Sequence, residues 1–138
     1  RTLNYFLVPA SSAAPNGLYL VDLPGYGFAK VGKGERRALR EMVDRFLAEV
    51  GNLRQLVIVL DARRKLEVEE ENILAHSQSF GRRVVFARTK WDRLNTKERG
   101  AARKDWRFRE ITGISLAISS PKRTGLRELL ELLRDSRG

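Results

Sequence analysis

The sequence predicts an α/β fold, a mostly parallel sheet with flanking helices, and three observations carry that reading. The runs Leu56 to Leu60 (LVIVL) and Arg83 to Thr89 (RVVFART) are apolar without strict alternation, as strands covered on both faces of a parallel sheet are. Segments of helical period separate the apolar runs, the β-α-β rhythm of such folds. Each run then gives way to polar residues at its C-terminal end, the edge where open α/β sheets bind ligands.

In order along the chain, Asn4 to Val8 (NYFLV) reads as a strand, and the small, polar segment Pro9 to Gly17 as a loop returning it in a hairpin to a second strand, Leu18 to Val21. That strand ends in Asp22 and breaks into Leu23-Pro24-Gly25-Tyr26-Gly27. From Gly34 the period becomes helical, with Leu39, Met42, Val43, Phe46, Leu47 and Val50 on one face, and Gly51-Asn52 ends the helix. After LVIVL a second helix opens on Glu67, Glu69, Glu70 and Glu71, placed where the helix dipole favours negative charge, and closes near Phe80-Gly81. RVVFART follows, then a third helix over Thr96 to Ile111, a short strand over Leu116 to Ser119 and a last helix over Gly125 to Leu133.

With 138 residues and 42% apolar content, the chain has the size and core of one domain. No cysteine is present, which removes disulfides and thiolate metal sites and fits a reducing compartment. No run approaches the roughly 20 apolar residues of a membrane helix, so the expectation is a cytoplasmic protein with no membrane partner. The balance of 27 Lys and Arg against 17 Asp and Glu, a net +10, favours a polyanionic partner such as nucleic acid.

Three strand tips carry chemistry. Asp22 can hold a hydrated Mg²⁺, and Gly25, three residues on, lets its N–H approach a terminal phosphate. Strand-Asp-turn is common in α/β proteins, and alone it is as well explained by fold as by function. Thr89-Lys90-Trp91-Asp92 has a sharper use. The Asp92 carboxylate can accept from both the ring N–H and the exocyclic amine of guanine, where adenine offers no such pair. Lys90 can lay its stem along the base, and the Ser119-Ser120 turn can offer backbone N–H groups to the guanine carbonyl. A polar strand end and a Ser-Ser loop are each unremarkable; all three tips in this order are not.

Val21-Asp22-Leu23-Pro24-Gly25-Tyr26-Gly27-Phe28-Ala29-Lys30-Val31, Leu60-Asp61-Ala62-Arg63, Thr89-Lys90-x-Asp92 and Ser119-Ser120 together closely resemble the EngB (also YihA or YsxC) family of bacterial translation-factor-like GTPases. The resemblance covers nearly the whole chain. It implies a Ras-like P-loop GTPase domain that binds GTP or GDP with Mg²⁺ and assists assembly of the large ribosomal subunit, with ribosomal RNA and proteins as partners and the GTPase acting as a monomer. Asp22 would act on the metal through water, Pro24 and Gly25 would lie at the γ-phosphate, and Thr89, Lys90, Asp92, Ser119 and Ser120 would form the base end.

One departure accompanies it. The phosphate loop G-x-x-x-x-G-K-[ST] is absent from residues 1 to 138. The family carries it upstream, so the chain is expected to be the C-terminal part of a single GTPase domain, beginning just after switch I. It would lack the N-terminal strand, phosphate loop and first helix, leave a gap within its sheet, and be inactive alone; Thr2 is then not a magnesium ligand. Hydrolysis in such proteins is positioning and electrostatics on a phosphoryl group. Tyr26 stands where Ras has a water-orienting glutamine, so slow turnover is expected and no catalytic residue is assigned.

The alternative is a basic, non-hydrolysing RNA-binding module that keeps part of a guanine pocket. Of the remaining residues, His76 reads as a surface or packing side chain, Trp106 as core, and Trp91 as a neighbour of the base pocket. Arg63-Arg64-Lys65, the group Lys97, Arg99, Arg103, Lys104, Arg107 and Arg109, and Lys122-Arg123 are solvated faces or RNA contacts, with RNA contact expected for at least one.

Overall fold

The computed structural model describes residues 3–10, 17–24, 32–105 and 114–135. The chain divides into two compact units, Arg1–Gly51 and Asn52–Gly138.

In the first unit, β1 (Asn4–Val8) and β2 (Leu18–Asp22) form the expected antiparallel hairpin, with Asn4 opposite Asp22 and Val8 opposite Leu18. Gly17 has φ +68, and a Cβ there would press on the Val8 carbonyl, so the return into β2 needs glycine. The helix α1 (Lys33–Glu49) buries Leu39, Val43, Phe46 and Leu47, four of the six residues on the apolar stripe read from the sequence.

In the second unit, β3 (Gln55–Asp61), β4 (Arg83–Thr89) and β5 (Ser115–Ala117) make a parallel sheet in the order β3-β4-β5. The middle strand is the most covered, with Val84 to Arg88 all buried, and this explains its continuous apolar run. Between β3 and β4 the helix α2 (Val68–Ser79) starts on a reciprocal cap: the Glu67 side chain accepts from the Glu70 N–H, and the Glu67 N–H donates to Glu70 Oε2 at 2.8 Å. It packs against β4. A 3-10 turn, Trp91–Arg93, leads to α3 (Thr96–Lys104), capped by Asn95 in the same reciprocal way with Glu98. The chain closes with α4 (Leu126–Arg134).

Two elements differ from expectation. The third helix, expected over Thr96 to Ile111, ends at Lys104 because Asp105 takes extended backbone. Trp106 to Gly113 lie outside the described residues. The last strand stops at Ala117 because Ser119 turns away to pair antiparallel with Thr124, although the Ile118 N–H still reaches the Arg88 carbonyl at 2.8 Å.

Among the described residues β3 has no neighbour on its outer edge, and Val59, in the middle of that strand, is 65% exposed. The α4 leucines Leu126 and Leu130 are exposed as well. No helix among the described residues is long and apolar enough to cross a membrane.

Candidate functional site

Parallel pairing fixes where the polar tips fall. Asp61 is the register partner of Thr89 and Arg88 of Ala117, so the C-terminal ends of β3, β4 and β5 finish along one edge. This gathers Thr89, Lys90, Asp92, Ser119 and Ser120, five of the eight residues picked from the sequence.

The loop after β4 is pinned by backbone at both ends. The Ala62 N–H donates to the Thr89 carbonyl at 2.8 Å, and the Trp91 N–H to the Ile118 carbonyl at 3.1 Å. The Thr89 hydroxyl donates to the Leu60 carbonyl at 3.1 Å, so it ties β4 to β3. Lys90, between these anchors, has φ 57 in the left-handed region, a conformation that costs a non-glycine residue about 1 kcal/mol or more and marks a constrained position.

Asp92 lies in the 3-10 turn and is half-buried. The Ser119 hydroxyl donates to its Oδ1 at 2.6 Å, the length of a strong bond to an ionised acceptor. That bond is the main cause holding the Asp92 carboxyl below its usual range, with Arg93 and Lys122 adding smaller attractions. A carboxylate fixed and ionised in this way suits two neighbouring donors on a ligand.

Ser119 is 1% exposed, and its N–H donates to the Thr124 carbonyl at 3.1 Å. The expected pair of backbone donors from the Ser-Ser turn therefore narrows to Ser120, an exposed turn residue, while Ser119 works through its hydroxyl. Trp91, expected beside the base pocket, is 7% exposed and forms a core cluster with Ala62 and Leu94.

Sequence reasoning gave no role to two supports of this edge. Arg88 is 5% exposed and reaches the Ala102 carbonyl of α3 at 2.7 Å and the Ala62 carbonyl after β3 at 3.2 Å, with its guanidinium over the Trp91 ring. An arginine inside an apolar strand run was the available signal, since a buried charge is kept where it is hydrogen-bonded. Asp61 is the second. Arg63 grips its carboxylate through Nε at 2.9 Å and Nη2 at 2.7 Å, and the Lys90 ammonium approaches Oδ2 at 3.2 Å. The Arg63 bonds lead in holding the Asp61 carboxyl well below the usual carboxylate range. Arg64, next along, is paired with Glu67 and Glu70 at the start of α2. Two of the three basic residues read as a possible RNA contact thus have internal partners.

The phosphate-end residues belong to the first unit. Asp22 is the last residue of β2 and is exposed, Pro24 follows two residues on, and Gly25 and Tyr26 lie outside the described residues. The exposure of Asp22 leaves its carboxylate accessible to a hydrated cation. Mg²⁺ is commonly held by one or two carboxylates together with waters and substrate phosphates, so Asp22 fits that role. No cluster of three or more His, Cys, Asp or Glu able to hold a metal occurs among the described residues.

No protein-family model matches the chain. It is similar to the probable GTP-binding protein EngB of Desulfovibrio desulfuricans, 34% identical over 139 residues that cover 100% of this chain and 66% of that protein. It is also similar to the protein of the same name from Alkaliphilus oremlandii, 32% identical over 135 residues, 94% of this chain and 61% of that one. The chain thus spans somewhat less than two thirds of the length of these curated relatives. Among solved structures, a crystal structure of a probable GTP-binding protein engB superposes with a TM-score of 0.66 at 17% identity, covering 86% of this chain and 75% of that one. That likeness establishes the fold. Relatives that match nearly the whole chain at about a third identity show that the chain belongs to the EngB family.

Proposed function

We propose that residues 1 to 138 are the C-terminal part of one GTPase domain, carrying the base-recognition end of a guanine-nucleotide site and, at Asp22 to Gly25, part of its phosphate end. The observation that carries this is the Ser119–Asp92 bond at the tip of a parallel sheet, which presents an ionised carboxylate to two adjacent donors. Guanine has such donors at its ring N–H and exocyclic amine, and adenine would leave the carboxylate unmatched. Thr89 holds the loop, Lys90 covers the base with its stem, and Ser120 supplies an N–H to the guanine carbonyl.

Asp22 would be the residue that holds Mg²⁺, and Pro24 and Gly25 would serve the terminal phosphate. The metal supplies charge neutralisation on the phosphates when bound. The phosphate loop comes from residues outside this sequence, and the open edge of β3 with its exposed Val59 supports a further strand pairing there. With Tyr26 after the glycine, hydrolysis is slow until a partner assists. In the cell the protein is a cytoplasmic monomer that assists large ribosomal subunit assembly, its net charge of +10 suiting a surface of ribosomal RNA.

Binding of GDP and ADP to the intact protein tests the reading. GDP binding at least about 100-fold tighter than ADP is expected of a site that hydrogen-bonds its base. Equal affinities, or RNA binding without either nucleotide, would instead support the basic RNA-binding module.

A further inference from the structure

We infer that Asp61 is a positioning residue for guanine recognition: with Arg63 it anchors the Lys90 ammonium, so that the Lys90 stem is already laid out when the base arrives. This rests on the guanine-nucleotide reading above and gives a role to a residue of the Leu60-Asp61-Ala62-Arg63 run to which the sequence assigned none.

Parallel pairing sets Asp61 beside Thr89, which places its carboxylate one residue from Lys90 across the strand ends. The Asp61 carboxylate is itself immobilised. Oδ1 accepts from the Arg63 N–H at 3.0 Å and from Arg63 Nε at 2.9 Å, while Oδ2 accepts from Arg63 Nη2 at 2.7 Å and lies 3.2 Å from Lys90 Nζ. A bidentate arginine uses the planar match of guanidinium and carboxylate and leaves the carboxylate one orientation. Lys90 is fixed at the backbone by the neighbouring Thr89 and Trp91 bonds and at the ammonium by Asp61. What remains between these two points is the four-carbon stem, the part that would lie on a purine face.

Lysine loses much rotamer freedom when ordered, and a ligand that must order it binds correspondingly more weakly. Prior ordering by Asp61 therefore favours binding without any contact between Asp61 and the nucleotide. Because Asp61 acts only through Lys90, its effect should vanish when the ammonium is absent.

The test is a double-mutant cycle on the intact protein, read by equilibrium binding of guanosine and of GDP. Asp61→Asn is expected to weaken both by the same factor, about fivefold, since the base is common to the two ligands. Lys90→Met keeps an apolar stem of similar length and removes the ammonium; it should weaken both by a similar factor. The double variant should bind no more weakly than Lys90→Met alone. Unchanged guanosine binding in Asp61→Asn overturns the proposal, and so do losses that multiply in the double variant. If Asp61→Asn does not fold, Lys90→Met still decides, because wild-type affinity in that variant removes the ammonium's role. A wild-type protein that fails to distinguish GDP from ADP would sink the nucleotide reading itself, a result separate from any of these.

Discussion

Replacing Ser119 by alanine removes one oxygen with two jobs. It donates to Asp92 Oδ1 at 2.6 Å and accepts the Lys122 N–H at 3.3 Å. The second bond is long, and its loss at a site 1% exposed costs about 1 kcal/mol of stability, which for a chain of this size lowers Tm by about 3 °C. The larger consequence falls on Asp92. Without the hydroxyl its carboxylate can rotate, and the principal influence lowering its pKa is gone. GDP affinity should fall about tenfold, within the range for a lost bond to a charged group, and guanosine affinity by the same factor. The pH dependence has a definite sign. A depressed carboxyl keeps its charge until the pH falls through the low folded value; in Ser119→Ala that value moves up, so the loss of binding in acid begins at a higher pH. Isothermal titration across pH 3.5 to 7 reads both effects, the interval being set by the ordinary carboxylate value near 4. Wild-type GDP affinity in Ser119→Ala, with its acid limit unmoved, would refute the reasoning.

Other outcomes follow from the same geometry. Asp92→Asn presents an amide donor where guanine needs an acceptor, so GDP binding should drop at least about 100-fold while xanthosine diphosphate, with a carbonyl in place of the exocyclic amine, gains; competition titration compares the two. Arg88→Leu leaves the Ala102 and Ala62 carbonyls without their donor and should cost about 3 kcal/mol, near 9 °C in Tm by calorimetry. Gly125, at φ +74, cannot take a side chain without pushing on the Ala117 carbonyl of β5, so Gly125→Ala should destabilise by more than about 2 kcal/mol in denaturant titration. Asp61 has a folded pKa well below its unfolded one, so its contribution to stability is complete above the ordinary carboxylate range and is lost as the pH falls below it; urea titrations at stepped acid pH should show a shallower loss in Asp61→Asn.

The sheet was legible in the sequence for a simple reason. RVVFART is buried from Val84 to Arg88, and a parallel strand covered in this way needs such unbroken apolar character. LVIVL has the same apolar run but buries Leu56, Ile58 and Leu60 and leaves Val59 exposed among the described residues, so its expected cover on both faces is not seen there. The stripe of α1 was legible for a similar reason, because burial selects residues at helical spacing. Polar residues at the strand tips named the candidate site, since a run of identical period has no use for Thr-Lys-x-Asp. What each side chain does there was less accessible. Ser119 and Ser120 look alike in sequence, yet a tertiary bond to Thr124 occupies the N–H of one and leaves the other on the surface. The partnership of Asp61 with Lys90 depends on the register between two strands 22 residues apart, which no local pattern encodes. The packing of Trp91 against Ala62 and Leu94 is likewise set by the tertiary fold.

The claim on which everything else depends is that the strand tips carrying Asp92 and Ser119 receive a guanine base. A crystal structure of the intact protein with GDP tests it most directly. The expected result places the Asp92 carboxylate within hydrogen-bond distance of the guanine ring N–H and exocyclic amine, and the Ser120 N–H at the guanine carbonyl. A nucleotide whose base lies away from Asp92 would contradict it.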